Sequence, residues 1–188
     1  SKLAKGRYYK PEQTAFGTLQ PDTYQVVKDL LEENGKLVGY LTGYSIYNKL
    51  GLSTQLSNQV QIGKNEVRTK FKRGVFTISF VKQKNTITSQ NVAFLQLLDA
   101  IKYIKKIPDS SIQDTCIRFL SLLKPYKIED INTLVRLAQK YPPATKALLG
   151  ALLDECGKTS QTVALQKNLN PITSYELIGV SEILSTTE

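Results

Sequence analysis

The chain has 188 residues, 41% hydrophobic and 22% charged, which suits a globular protein able to bury a core in one domain or two small ones. Its 25 Lys/Arg against 16 Asp/Glu give a net charge of +9, and it contains no histidine and no methionine. The missing histidine excludes Ser-His-Asp and Cys-His nucleophile activation, histidine metal ligands and histidine general bases together.

Other chemistry is equally scarce. Gly39 to Gly43 lacks the spacing and the Lys-Ser/Thr of a phosphate loop. Neither an apolar run of the roughly 18 residues a membrane span needs nor a secretory leader is legible. The adjacent acids Glu32-Glu33, Glu129-Asp130 and Asp154-Glu155 read as solvated helix faces, since neighbours on a helix point about 100° apart. The expectation is a cytoplasmic protein that is not an enzyme, with no cofactor, no metal and no membrane partner. The absence of methionine is expected of a segment of a longer protein.

In chain order, Leu3 to Pro11 (LAKGRYYKP) is a strand candidate. Pro21, Asp22 and Thr23 open a helix carrying Val26, Val27, Leu30 and Leu31, which Asn34-Gly35 ends. Lys36 to Tyr40 is a short strand, Thr42 caps a second helix with Ile46, Tyr47 and Leu50, and Gly51 stops it. The polar cluster after that stop, Ser53-Thr54-Gln55, reads first as hydroxyls tying down a tight connection and second as a contact surface.

Asn58 to Lys84 predicts a three-stranded antiparallel meander. A turn at Arg73-Gly74 sets Phe71 against Phe76, Thr69 against Ile78 and Val67 against Phe80. A turn at Lys64-Asn65 sets Ile62 against Val67 and Val60 against Thr69. One face then holds Val60, Ile62, Val67, Thr69, Phe71, Phe76, Ile78 and Phe80. The other holds Gln59, Gln61, Arg68, Lys70, Lys72, Thr77 and Ser79.

From Ser89 the apolar period lengthens from 2 to 3.6 residues. Phe94, Leu97, Leu98, Ile101 and Ile104 mark a helix ending before Pro108. Ser110 with Gln113 predicts a capping box for the next, which stops at Pro125. Ile131, Leu134, Val135 and Ala138 mark a third. Pro142-Pro143 end it and open a fourth that runs to Gly157, with a weaker fifth over Gln161 to Leu169. Cys116 and Cys156 fall on the apolar stripes and read as buried free thiols. Short connections imply antiparallel neighbours, and the helical part is expected to cover the apolar face of the meander.

The positive charge is local. Residues 1–90 hold 14 Lys/Arg against 6 Asp/Glu, whereas 91–188 hold 11 against 10. Within Lys64 to Lys84 the cations are Lys64, Arg68, Lys70, Lys72, Arg73, Lys82 and Lys84, opposed by Glu66 alone. Such a cluster is the expected footprint of a polyanion, and these seven are the candidate nucleic-acid-binding residues. Tyr8, Tyr9, Tyr40, Tyr44 and Tyr47, interleaved with lysines and an arginine, read more simply as core edges than as base-stacking platforms.

Two segments carry a resemblance. Leu41 to Leu56, LTGYSIYNKLGLSTQL, resembles the sequence that follows the winged helix in AbiEi-type antitoxins of bacterial toxin–antitoxin and abortive-infection systems. Ala147 to Gly157, ALLGALLDECG, resembles a run in the helical end of those antitoxins, and Leu3 to Pro11 resembles the closing strand of a winged-helix wing. The resemblance marks Gly51, Leu52, Ser53, Thr54 and Gln55 as a family motif. It implies a transcriptional autoregulator that binds duplex operator DNA and counteracts a cognate nucleotidyltransferase toxin, directly or indirectly. The alternative is a protein-interaction module without DNA binding of its own that neutralises a partner through its helical half. The expected fold is α+β: a wing remnant over 1–11, an α/β part over 12–88, a helical part over 89–170 and a tail over 171–188.

Overall fold

The structure is a computed structural model and describes residues 2–4, 7–8, 13–14, 17–18 and 22–166. The architecture is α+β. The chain divides into two compact units, Ser1–Ile46 with Leu56–Val92, and Tyr47–Gln55 with Ala93–Glu188. The helical unit therefore takes in the Gly51 to Gln55 motif, which sequence places with the sheet.

At the start, β1 (Lys2–Ala4) pairs antiparallel with β2 (Arg7–Tyr8), and β3 (Gln13–Thr14) with β4 (Gly17–Thr18). The expected wing strand falls on the first pair, though Lys5, Gly6 and residues 9–11 lie outside the described residues, as does the expected tail over 171–188.

Helix α1 (Thr23–Leu31) opens where Asp22 accepts a hydrogen bond from the Tyr24 amide at 3.2 Å. It stops short of Asn34-Gly35. That dipeptide instead forms the turn of a hairpin between β5 (Glu32–Glu33) and β6 (Lys36–Leu37), with Glu33 opposite Lys36. Glu32 and Glu33 are therefore strand residues, not a helix face, and Glu32 accepts from the Tyr24 hydroxyl. The contact, with Glu32's own charge, raises the Tyr24 pKa above the ordinary phenol value.

Four strands make the main sheet, in the order β7 (Gly39–Thr42), β8 (Gln59–Lys64), β10 (Phe76–Lys82), β9 (Phe71–Arg73). Three of the expected features change here. The hairpin turn moves one residue on, to Gly74-Val75, so Arg73 faces Phe76 and Phe71 faces Ile78. Strand β8 pairs with β10, not β9, and the pairing is parallel, with Val60 beside Ile78 and Ile62 beside Phe80. Finally, β7 joins β8 antiparallel through Gly39 to Thr42, so Thr42 lies in a strand and does not cap α2 (Tyr44–Leu50).

Both sides of β10 are thereby used. Parallel neighbours need a crossover of roughly a dozen residues, which the stretch from Asn65 to Val75 supplies, β9 included.

Six of the eight residues expected on the apolar face lie there, Val67 and Thr69 being exposed loop residues instead, and the face packs against α1. Val26, Val27, Leu30 and Leu31 pack against Val60, Ile62, Phe76 and Ile78, with Leu41, Phe71 and Phe80 partly buried around them. Each such side chain contributes roughly 1.5–3 kcal/mol by leaving water. Truncating Ile62 or Ile78, both 0% exposed, to alanine costs about 2–5 kcal/mol.

Helix α3 (Ser89–Lys102), which lies in the second unit from Ala93 on, is followed by a 3₁₀ turn over Ile104–Lys106. Helix α4 (Ile112–Leu123) is capped by Ser111 with Asp114, one residue later than the Ser110 and Gln113 pair. Helix α5 (Ile128–Ala138) buries Ile131, Leu134, Val135 and Ala138, and α6 (Pro143–Glu155) starts on the second proline. A 3₁₀ turn over Thr159–Gln161 precedes a short α7 (Val163–Gln166), which falls inside the expected fifth helix. The core holds Leu98, Ile101, Phe119, Leu123, Leu134 and Leu153. Both thiols are free, and burial pushes Cys116 up to about 11.

Candidate nucleic-acid interface

The seven candidate cations divide into two groups. Lys64 and Arg73 fall at turn tips in the expected meander. In the structure both are strand residues on the apolar face, and only 7% and 8% of their surfaces are exposed. Their long apolar stems cross the hydrophobic layer and deliver the charges to α1. Arg73 Nη1 donates to Asp29 Oδ1 at 2.7 Å and to the Val26 carbonyl at 2.6 Å, while Nη2 donates to Asp29 Oδ2 at 3.1 Å. Lys64 Nζ donates to the Leu30 carbonyl at 3.3 Å and pairs with Glu33 at 3.5 Å, where the helix presents its negative end. These two cations hold α1 on the sheet, and they are corrected out of the candidate interface.

The remaining five, Arg68, Lys70, Lys72, Lys82 and Lys84, are exposed. Arg68 and Lys70 belong to the crossover loop, so they do not alternate with Lys72 along one strand as expected. Lys72 lies on β9, an edge strand of the described sheet, opposite Thr77. Lys82 closes β10 and donates to the Asn65 carbonyl, and Lys84 follows just beyond. Glu66 is the one acid among the exposed side chains of this stretch. Val67 and Val75 stand 50% and 61% exposed at the loop and the hairpin tip.

The root of the loop is tied down by hydrogen bonds. Asn65 Nδ2 donates to the carbonyls of Gln83 at 2.7 Å and Asn85 at 2.9 Å, and the Gln83 amide donates to the Lys64 carbonyl at 2.9 Å. The Gln83 side chain donates to the buried Tyr40 hydroxyl at 2.8 Å and accepts from Asn85. Gly63 lets this cluster close: a Cβ there would stand 2.3 Å from the Tyr40 ring. The loop thus leaves the sheet from a buried, bonded anchor and carries its charges outward.

The Gly51 to Gln55 motif is a tied-down helix stop. Gly51, at φ +68°, and the amides of Gly51 and Leu52 returning to Asn48 and Tyr47 form a Schellman closure. Leu52 is buried, Ser53 Oγ accepts from the Gln55 amide, Asn48 donates to the Gln55 carbonyl, and Thr54 and Gln55 face solvent. Arg118 Nε donates to the Leu50 carbonyl at 2.7 Å. Sequence reasoning missed Asp29, the carboxylate that claims Arg73, and Arg118. Asp29 was legible in principle, because it follows Val26 on the α1 stripe by three residues.

Among the described residues, no group of three or more His, Cys, Asp or Glu could hold a metal ion. No described helix is long and apolar enough to cross a membrane.

A small mixed sheet under one helix, with a basic loop at its end, and a separate helical unit define an α+β protein with a cluster of exposed cations. The chain belongs to the Family of unknown function (DUF6088), which it matches over residues 1–131. No curated protein and no solved structure gave a match.

Proposed function

We propose that this protein is a cytoplasmic, AbiEi-like antitoxin and transcriptional autoregulator, binding operator DNA and counteracting a nucleotidyltransferase toxin. The observation that carries the DNA-binding part is the separation of cations around the crossover. Lys64 and Arg73 bind α1, while Arg68, Lys70, Lys72, Lys82 and Lys84 are exposed, and Glu66 is the one acid between Lys64 and Lys84.

Charges on a loop with a bonded root suit phosphate contacts, which fix position without reading bases. Such contacts make binding weakly sequence-dependent and strongly salt-dependent. The antitoxic part rests on the resemblance of Leu41 to Leu56 and Ala147 to Gly157.

The test pairs two assays. Co-expression with a neighbouring nucleotidyltransferase should rescue growth, and the purified chain should bind duplex DNA with an affinity that falls as salt rises. Rescue without salt-dependent DNA binding would identify an interaction module instead. Absence of both would remove the antitoxin reading.

A further inference from the structure

A second basic feature lies in the helical unit and has a different shape. From the last residue of α3 the chain reads Lys102-Tyr103-Ile104-Lys105-Lys106, and its 3₁₀ turn borders a half-open cleft of about 450 Å³ beside the start of α6. That volume is within the range of about 300–1,000 Å³ of small-molecule sites.

The floor and walls are apolar: Ile101, Ile104, Pro142, Ala144 and Leu148. The charged residues of the lining are Lys102, Lys105 and Lys106, and no carboxylate lines it. Lys102 Nζ and Lys106 Nζ sit 4.8 and 5.2 Å from the centre of the Tyr103 ring. The ring's electron-rich faces hold both ammonium groups near Tyr103. None of the three lysines has an ion-pair partner among the described residues.

We infer that this cleft binds a small anionic amphiphile, an apolar chain or ring bearing one carboxylate or phosphate. The apolar body would cover the floor, and the head group would take the charge of the lysines around Tyr103. A nucleic-acid backbone fits less well, because its phosphates would meet the lysines but leave the concave apolar floor unfilled. The chemistry differs from that of the crossover loop, and the inference is independent of the DNA-binding reading.

The probes are decanoate and decyl phosphate, used below micelle formation, with decanol and inorganic phosphate as the half-ligands. Isothermal titration of the full chain should give saturable, one-to-one binding of at least one of the two amphiphiles. Decanol and inorganic phosphate should each bind at least about tenfold more weakly. Lys102→Glu with Lys106→Glu should weaken the amphiphile by at least about tenfold. Ala144→Trp should remove binding by filling the cleft from an exposed position on the first turn of α6. If Ala144→Trp lowers the thermal midpoint, Lys105→Glu with Lys106→Glu, both exposed on the 3₁₀ turn, replaces it and should weaken binding by the same margin.

Three results would each overturn the inference. One is no saturation by either amphiphile up to about 1 mM. Another is decanol or inorganic phosphate binding as tightly as the amphiphile. The last is parent-like affinity in the charge-reversed variants.

Discussion

Arg73 and Asp29 form a two-pronged ion pair at 2.7 and 3.1 Å that joins the edge hairpin to the helix covering the sheet. The arginine side chain is 9% exposed and the aspartate 29%, so the pair is mostly withdrawn from solvent. The guanidinium also lies 5.5 Å from the Phe71 ring, its neighbour on the same face. Removing one partner leaves the other charge buried, which makes such pairs costly to break.

Asp29→Asn and Arg73→Met should each destabilise the protein by about 2–4 kcal/mol in denaturant titrations. Arg73→Lys should not restore the loss, because an ammonium cannot reproduce the fork. Lys72→Met, one residue away on the exposed side, should change stability by less than about 0.5 kcal/mol. Equal effects at positions 72 and 73 would contradict the division between scaffold and surface cations.

Gly63→Ala should be among the most damaging small changes in the sheet. The added carbon meets the Tyr40 ring at 2.3 Å, and that ring is held by Gln83 beneath the crossover loop. Overpacking of this kind costs about 1–3 kcal/mol. Hydrogen exchange should show the Lys64–Gln83 amide bond losing protection with it; unchanged protection would detach the loop's anchor from Tyr40.

How far the sequence was legible follows from what period-two patterning encodes. It fixes which face a residue takes, and Val60, Ile62, Phe76 and Ile78 do share the buried face. It does not encode which strand lies alongside. Parallel β8–β10 and an antiparallel meander both put Val60, Ile62, Phe76 and Ile78 inside, whereas Val67 and Thr69, strand partners in the meander, are loop residues in solvent.

The same blindness hid Lys64 and Arg73. A cation next to a turn signal reads as solvated, and only the position of α1, set by tertiary packing, shows what it reaches. The helical unit was easier, because prolines and local caps mark its boundaries within the chain itself. Its lysine-rich cleft went unread because the Lys102 to Lys106 run gains a floor only when α6 folds beside it.

Cys116 predicts a pH response. Its thiol is 1% exposed, and burial moves it from 9.0 to about 11. Above pH 9 the unfolded chain releases this proton while the folded one keeps it, so the unfolded state binds fewer protons and stability falls as pH rises. The contribution is present below pH 9 and is lost progressively towards 11, by roughly 2–3 kcal/mol in all. Cys116→Ala should flatten that slope in unfolding curves measured from pH 8 to 11. The native thiol should also resist iodoacetamide at neutral pH; rapid native alkylation would contradict its burial.

Gly51→Ala should cost about 1–2 kcal/mol, because it forces a side chain into left-handed backbone at φ +68° and against Arg118, 2.9 Å from the added carbon. Thr54→Ala and Gln55→Ala should leave stability within about 0.5 kcal/mol, since both side chains face solvent. If those two changes abolish toxin rescue while the fold persists, the motif is a contact surface as well as a helix stop. Rescue at parent level assigns it to structure alone.

The central claim is that the exposed cations of the crossover loop contact phosphate, and charge reversal under a salt titration tests it most directly. Fluorescence anisotropy with duplex DNA should give a linear fall of log affinity with log salt concentration. Each of Arg68, Lys70 and Lys72 that neutralises a phosphate adds about 0.9 to that slope. Replacing all three with glutamate should abolish binding while the thermal midpoint stays at the parent value, because none of them makes a contact that holds the sheet to α1. A triple variant that keeps both the parent affinity and the parent salt slope would contradict the account.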